Sequence, residues 1–122
     1  MRRVIPADMD EIDSWHEERG MFPLNKGVYP LLGLIEPEIA AGFLYRTDTK
    51  IAIFENFVSN PKADKVRRRE AMLEIAKELE AQAQILGFKY FTAVTKHKSI
   101  EDLSLKHGMK FLGTFQIYGK EI

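Results

Sequence analysis

Residues 50–61 read KIAIFENFVSNP, and the predicted architecture is built around this segment. Apolar side chains are dense on both faces of the strand predicted over Lys50–Ser59. Because such a strand lies in a sheet that is covered on both sides, we predict it at the centre of the sheet. The turn residues Asn60 and Pro61 follow it and end the strand.

A long helix is predicted directly downstream, over residues 65–86. Its apolar side chains recur at intervals of three and four, and they are Met72, Ile75, Ala76, Leu79, Ala83 and Leu86. Gly87 ends the helix, and a second buried strand is predicted over Phe88–Val94. A strand–helix–strand unit of this kind predicts that its two strands pair in parallel.

The first helix is predicted from the sequence DMDE at positions 8–11, which is typical of a capping box. Asp8 would accept a hydrogen bond from the third amide of the helix, and Glu11 would reach back to the cap. The helix is expected to run to about Arg19 and to stop at Gly20. Its buried face is predicted to hold Met9, Ile12 and Trp15.

Shorter strands complete the predicted order β-α-β-β-β-α-β-α-β. Those before the central strand are Arg2–Ile5, Leu31–Glu36 and Ile39–Arg46, and the last two form an antiparallel meander with it. After Val94, a helix starting near Ser99 ends at Gly108, and a last strand is predicted over Phe111–Tyr118.

Composition excludes several classes of protein. The 122 residues correspond to one domain, and the absence of cysteine excludes disulfide frameworks, thiolate metal sites and thiol nucleophiles. Eighteen basic residues balance eighteen acidic ones, which argues against nucleic-acid or membrane-surface partners. The three histidines do not have the spacing of a zinc site, so no metal is predicted. No signal-peptide core is present, so a cytoplasmic location is expected.

The sequence Arg67-Arg68-Arg69 is electrostatically unusual, because it lies at the start of the long helix, where acidic residues are favoured. Unpaired amides and guanidinium groups together make a phosphate site, to which Lys62 and Lys65 would add charge. The alternative is a solvated turn in which Arg67 pairs with Glu70 and Asp64 caps the helix.

Segments along nearly the whole chain carry a resemblance to a known family, and they are RVIPAD at 3–8, KIAIFENFVSNP at 50–61, residues 67–94 and LSLKHGM at 103–109. In this order they resemble the GNAT superfamily of N-acetyltransferases. GFLYRTD at 42–48 and FVSNP at 57–61 resemble, more narrowly, small GNAT proteins encoded by bacteriophages. The resemblance implies one α+β domain over 1–122 with a GNAT-like (acyl-CoA N-acyltransferase) fold, in which helices flank a central mixed, mostly antiparallel sheet.

Family members bind acetyl-coenzyme A (acetyl-CoA) and hold its pyrophosphate on a loop of the form Gln/Arg-x-x-Gly-x-Gly/Ala. Aligned on Gly87, the motif begins at Arg67, but Glu70 and Met72 stand where the family has small residues. The resemblance implies cofactor contacts at Phe57, Val58, Ser59, Arg67, Arg68, Arg69, Glu70, Ala71 and His97.

Two residues of the central strand receive catalytic roles from the resemblance. Glu55 is the expected general base, and the Val58 amide is the expected donor to the oxyanion of acyl transfer. A carboxylate in an apolar strand needs a partner or solvent, so the alternative for Glu55 is a pair with Arg46 or a position facing water.

The function implied is transfer of an acetyl group to a small-molecule or peptide amine by direct attack in a ternary complex. In a bacteriophage protein this would take place in the cytoplasm of the bacterial host. The alternative is a GNAT-fold binding or virion-associated protein without catalysis. We also expect a homodimer, because few residues follow the last predicted strand and a partner would cover the edge of the sheet.

Overall fold

The computed structural model describes residues 1–21, 29–95, 98–114, 116, 118–120 and 122, with only the backbone described for Ser99. A 3₁₀ turn at Pro6–Asp8 precedes the first helix. The helices are α1 (Met9–Glu18), α2 (Lys65–Ile85) and α3 (Lys98–Lys106). The strands are β1 (Arg2–Arg3), β2 (Leu32–Glu36), β3 (Ala40–Arg46), β4 (Ile51–Ser59) and β5 (Tyr90–Ala93).

The five described strands form one sheet in the order β1-β2-β3-β4-β5. The first three pairings are antiparallel, and β4 and β5 are parallel across the α2 crossover, as predicted. β4 is an interior strand of the described sheet, with β3 on one side and β5 on the other, and it buries Phe54 toward α2 and Val58 toward α1. The predicted position of residues 50–59 inside the sheet, covered on both faces, is therefore confirmed, although β3 is the middle one of the five described strands and β5 covers only the first part of β4.

Two apolar clusters cover the two faces of the sheet. One cluster packs α2 on the sheet through Ile75, Leu79 and Ala83. These residues belong to the apolar period predicted for this helix, so its buried face is confirmed. The other packs α1 on the opposite face and contains Met9, Ile12, Trp15, Ile35, Ala41, Phe43 and Val58. The predicted apolar face of α1 is therefore confirmed.

The capping box lies one turn earlier than predicted. Asp8 accepts a hydrogen bond from the Ile5 amide (2.8 Å) and two from the Arg2 guanidinium (2.8 Å each), and its side chain does not cap α1. Hydrogen bonding by Arg2 lowers the pKa of this carboxyl below its usual value. Pro6 is the reason for the change, because it opens a 3₁₀ turn before the helix begins.

The predicted last strand is absent from the described part of residues 111–118. Phe111, Leu112 and Tyr118 are exposed, and Gly113 has a φ of +148°, which interrupts the extended backbone. Phe115 and Ile117 lie outside the described residues. The homodimer stays a prediction.

His16 is buried in α1 and links the stability of the fold to pH. Its Nδ1 lies 3.0 Å from the Ile12 carbonyl oxygen and donates to it, while the buried Nε2 has no hydrogen-bond partner in the described structure. Burial lowers the pKa of His16 below 6.5. In the unfolded chain the ring titrates near its ordinary pKa, about 6.5.

We therefore expect the free energy of unfolding to fall as the pH drops below about 6.5, by at most about 1.4 kcal/mol per pH unit from this one proton. The unfolded chain takes up the proton first, because the folded pKa is lower. Urea denaturation at several pH values should show a shallower acid loss for His16→Leu. The exposed His107 provides the control His107→Leu, and equal slopes for all three proteins would contradict the assignment.

Candidate functional site

The sheet opens between β4 and β5. Residues 51–54 of β4 pair with 90–93 of β5, and β5 then ends, so β4 continues through residues 55–59 without a described neighbour on that side. The backbone of this end of β4 is therefore uncovered on the β5 side. Helices α2 and α3 flank the opening.

A β-bulge lies at the start of the uncovered part of β4. The pairing with β3 shifts by one residue between Ala41 and Phe43, and Asn56 has a φ of +55°. The Asn56 amide donates a hydrogen bond to the Tyr45 hydroxyl. Opposite the bulge, Gly42 lets the Phe57 ring approach the backbone of β3.

The ladder register determines which backbone groups of β4 face the opening. The Asn60 amide donates to the Ile39 carbonyl (2.8 Å) in the register that pairs Ala41 with Val58. Because antiparallel pairs alternate, the Val58 amide points to β3, and the amides of Phe57 and Ser59 point to the opening. The Ser59 carbonyl agrees with this geometry, since it accepts from a side chain outside the sheet, Arg19.

A cavity of about 140 Å³ lies at the opening, between the end of β4, the first turns of α2, the end of α1 and α3. One part of its lining is apolar and consists of Met21, Phe57, Val58, Met72, Ile100 and Leu103. The other part is basic and consists of Arg19, Lys65, Arg68 and Arg69. Among the described residues, no acidic side chain lines this cavity.

Arg19 is fixed at the end of β4. Its Nε donates to the Ser59 carbonyl (2.8 Å) and its Nη2 donates to the Ser59 hydroxyl (2.9 Å). Burial lowers the pKa of Arg19, and the nearby charge of Arg68 lowers it further, whereas Glu18 raises it. Two guanidinium groups therefore lie close together in one cavity.

Glu55 lies beside the bulge, on the face of β4 that packs toward α1, opposite Phe43. Its side chain is half-buried, and burial raises the pKa of this carboxyl above its usual value. Burial also raises the pKa of Tyr45, and the charge of Glu55 raises it further. Glu55 and the hydrogen-bonded pair of Tyr45 and Asn56 thus form a small polar cluster beside the opening.

The structure brings together five of the residues that the resemblance implied. Phe57, Val58, Ser59, Arg68 and Arg69 all line the cavity.

Arg67 and Glu70 are exposed on the first turns of α2, and Ala71 is buried in the core under that helix. Asp64 caps α2 by accepting from the Arg67 amide (3.1 Å), which is the capping contact of the solvated-turn alternative. Glu55 lies outside the cavity lining, and His97 lies outside the described residues.

Sequence reasoning missed Arg19. A cation at a helix C-terminus is ordinary, because it complements the helix dipole, so the sequence contains no signal that sets Arg19 apart. Only the contact with Ser59, forty residues away, reveals its place at the site.

The described residues contain no cluster of three or more side chains able to hold a metal ion. No described helix is both long and apolar enough to cross a membrane.

No protein-family model matches the chain, and a search of curated proteins finds no significant match. A solved structure described as "Putative acetyltransferase from Agrobacterium tumefaciens str. C58" is similar, with a TM-score of 0.63 at 12% identity, over 97% of this chain and 98% of that one. A likeness at this identity speaks to the fold. The predicted fold class is therefore confirmed: the chain has an α+β, GNAT-like fold.

Proposed function

We propose that this protein transfers an acyl group, in the first instance acetyl, from acyl-CoA to an amine. The observation that carries the proposal is the opening between β4 and β5, whose cavity is lined by both basic and apolar side chains. A ligand for such a cavity combines anionic groups with an uncharged arm. The phosphates and the pantetheine arm of an acyl-CoA have that combination.

The residues present fit this ligand at two points. Arg68 lines the cavity, and its buried Nε has no partner in the described structure, so its guanidinium has hydrogen-bonding capacity left for an anion. The uncovered amides of Phe57 and Ser59 are unused donors for the carbonyl groups of an extended arm. Arg68, Arg69 and Lys65 would hold the phosphates, and the end of β4 would hold the arm.

The chemistry of this chain would then lie at the bulge. Acyl-CoA supplies an activated thioester. The amine must lose a proton to attack its carbonyl carbon, and the C–S bond then breaks and releases coenzyme A as the thiol. Glu55 would accept that proton, directly or through a water, because its raised pKa makes it a better base than an exposed glutamate. A β4 amide would stabilise the negative charge that develops on the carbonyl oxygen.

The register changes which amide we assign to that oxyanion. Val58 was expected to donate, but its amide points to β3, whereas those of Phe57 and Ser59 point to the opening. We therefore propose Phe57 as the donor, since it lies closest to the bulge and Glu55. Val58 lines the cavity, and its buried side chain belongs to the cluster that packs α1 on the sheet.

One observation favours a second candidate function, binding without turnover. Met72 lines the cavity at a position where the family motif has a small residue. A side chain there fills space that the phosphate loop normally leaves to the ligand. A GNAT-fold binding protein would keep the cavity and its cations and would not need the base.

Acetyl-CoA should raise the melting temperature of the protein. At a concentration of 100 times Kd, binding should add about 2.7 kcal/mol to the free energy of unfolding, on the order of 10 °C for a domain of this size. Thermal melting with and without acetyl-CoA measures the effect. The Arg69→Gln variant should show a smaller rise, because Arg69 lines the cavity.

The matched control is Lys77→Gln, which removes one positive charge from an exposed position farther along α2. It should show the same rise as the unmodified protein. If millimolar acetyl-CoA does not move the melting temperature, both candidate functions are wrong. If it binds but no thiol is released with lysine, peptide, polyamine or aminoglycoside acceptors, binding without turnover is favoured.

A further inference from the structure

Arg19 and Arg68 come from different helices and meet in one cavity. Arg19 follows the last residue of α1, and Arg68 lies in the first turn of α2. Both line the opening, together with Lys65 and Arg69 and, among the described residues, with no acid. The site therefore does not rest on the amides of a helix N-terminus, since one of its cations comes from the other side of the sheet.

Arg19 is held in a fixed position with donors to spare. Two of its five N–H groups, at Nε and Nη2, bond to Ser59, and the contacts of the described residues leave the other three available. The acid next to it, Glu18, is exposed and lies 3.9 Å from the ammonium group of Lys62, outside the cavity lining. The described hydrogen bonds of Arg19 are therefore to neutral groups, and no described acid lines the cavity beside it.

Arg68 is the second of the two arginines that meet in the cavity. Its Nε is buried without a hydrogen-bond partner in the described structure, and the described contacts show no ion pair for its side chain. Buried donors without a partner are rare, because each one forfeits its bond to water. Two like charges that share a half-buried cavity also repel more strongly than they would in water.

We infer that Arg19 and Arg68 together bind one oxyanion group, a phosphate or a carboxylate, at the end of β4. The anion accepts from guanidinium N–H groups of both arginines and removes the repulsion between the two guanidinium groups. This deepens the proposed function, because it adds Arg19 to the site and gives one ligand group a place. The anion is either a phosphate of the acyl-CoA or a carboxylate of the acceptor.

The test uses inorganic pyrophosphate, which carries no acyl group, so it does not depend on acyl transfer. Isothermal titration of the full chain should show binding, and Arg68→Gln should weaken it at least tenfold. Arg46→Gln is the matched control, since Arg46 is exposed at the opposite end of β3, and it should bind as the unmodified protein does.

The melting temperature of the ligand-free protein gives a second measurement, in which Arg68→Gln should not be harmful. Arg68→Gln removes one of two repelling charges and breaks no described hydrogen bond, so its melting temperature without anion should rise or stay equal. The increase in melting temperature that pyrophosphate causes should largely disappear in Arg68→Gln. Arg19→Lys keeps the positive charge but loses the paired donors to Ser59. It should therefore bind pyrophosphate more tightly than Arg19→Gln does.

Titration of the unmodified protein with coenzyme A distinguishes the two sources of the anion. If coenzyme A competes with pyrophosphate and binds Arg19→Gln at least tenfold more weakly, the anion is a phosphate of the cofactor. If succinate still binds the protein saturated with coenzyme A, and Arg19→Gln abolishes that binding, the anion is an acceptor carboxylate. Pyrophosphate binding that is equal in the unmodified protein, Arg19→Gln and Arg68→Gln would overturn the inference while leaving acyl transfer open.

Discussion

Replacing Glu55 by glutamine should lower the rate of acyl transfer about 10²–10⁴-fold, which is the usual contribution of a positioned general base. Glutamine has nearly the same shape and can still fill the place beside Tyr45 and Asn56, but it cannot accept the ammonium proton. The loss corresponds to about 3–5 kcal/mol in the activation barrier. Release of thiol from acetyl-CoA, with the acceptor found most active, measures it.

The pH profile identifies the group that is lost. A base works in its deprotonated form, so kcat/KM should rise with pH through the pKa of Glu55. Because burial raises the pKa of this carboxyl, that rise should lie above the range of an exposed glutamate. In Glu55→Gln this limb of the profile should be missing.

Stability measurements separate a lost base from a damaged fold. Since the folded pKa of Glu55 is raised, the charged form is disfavoured in the folded state, and the unmodified protein should lose stability as the pH rises through that pKa. Glu55→Gln should therefore be at least as stable at neutral pH. The control Glu74→Gln, on the exposed side of α2, should keep full activity, and an unchanged profile in Glu55→Gln would exclude Glu55 as the base.

Periodic patterns predicted most of the fold. The apolar period of α2 and the two apolar faces of residues 50–59 identified the crossover, and hence the one parallel pairing of the described sheet. Such patterns report which faces are buried, and burial decides where a helix or strand packs. The start of α1 was less predictable, because Pro6 and Asp8 fit both a helix cap and a 3₁₀ turn.

The candidate site was only partly predictable, because it depends on contacts that are distant in sequence. The cations of α2 stood out through their number, and Arg68 and Arg69 do line the cavity. Arg19 reaches the site only through Ser59, and the direction of the Val58 amide depends on the register with β3. Neither a lone arginine nor a ladder register has a signature in a single sequence.

Gly42→Ala should lower the free energy of unfolding by about 2–3 kcal/mol, which is toward the upper end of the destabilisation that overpacking a core causes. The melting temperature should fall by about 10 °C. A Cβ on Gly42 would lie 2.5 Å from Cδ2 and 2.9 Å from Cε2 of the Phe57 ring. The ring has little room to retreat, because Phe54 lies 4.6 Å away between ring centroids and Phe57 is 8% exposed. Thermal or urea denaturation measures the loss.

The same clash should damage the site, since Phe57 also lines the cavity and a displaced ring would change its shape. Gly42→Ala should therefore bind acetyl-CoA more weakly than the unmodified protein does, even at temperatures where it is fully folded. The double variant Gly42→Ala/Phe57→Leu replaces the ring by a smaller side chain and should relieve the clash. It should therefore lose less stability than the two single changes added together. Gly119→Ala is the control, because a Cβ there meets no atom within 4 Å. Strictly additive losses in the double variant would show that Gly42 does not make room for Phe57 at the bulge.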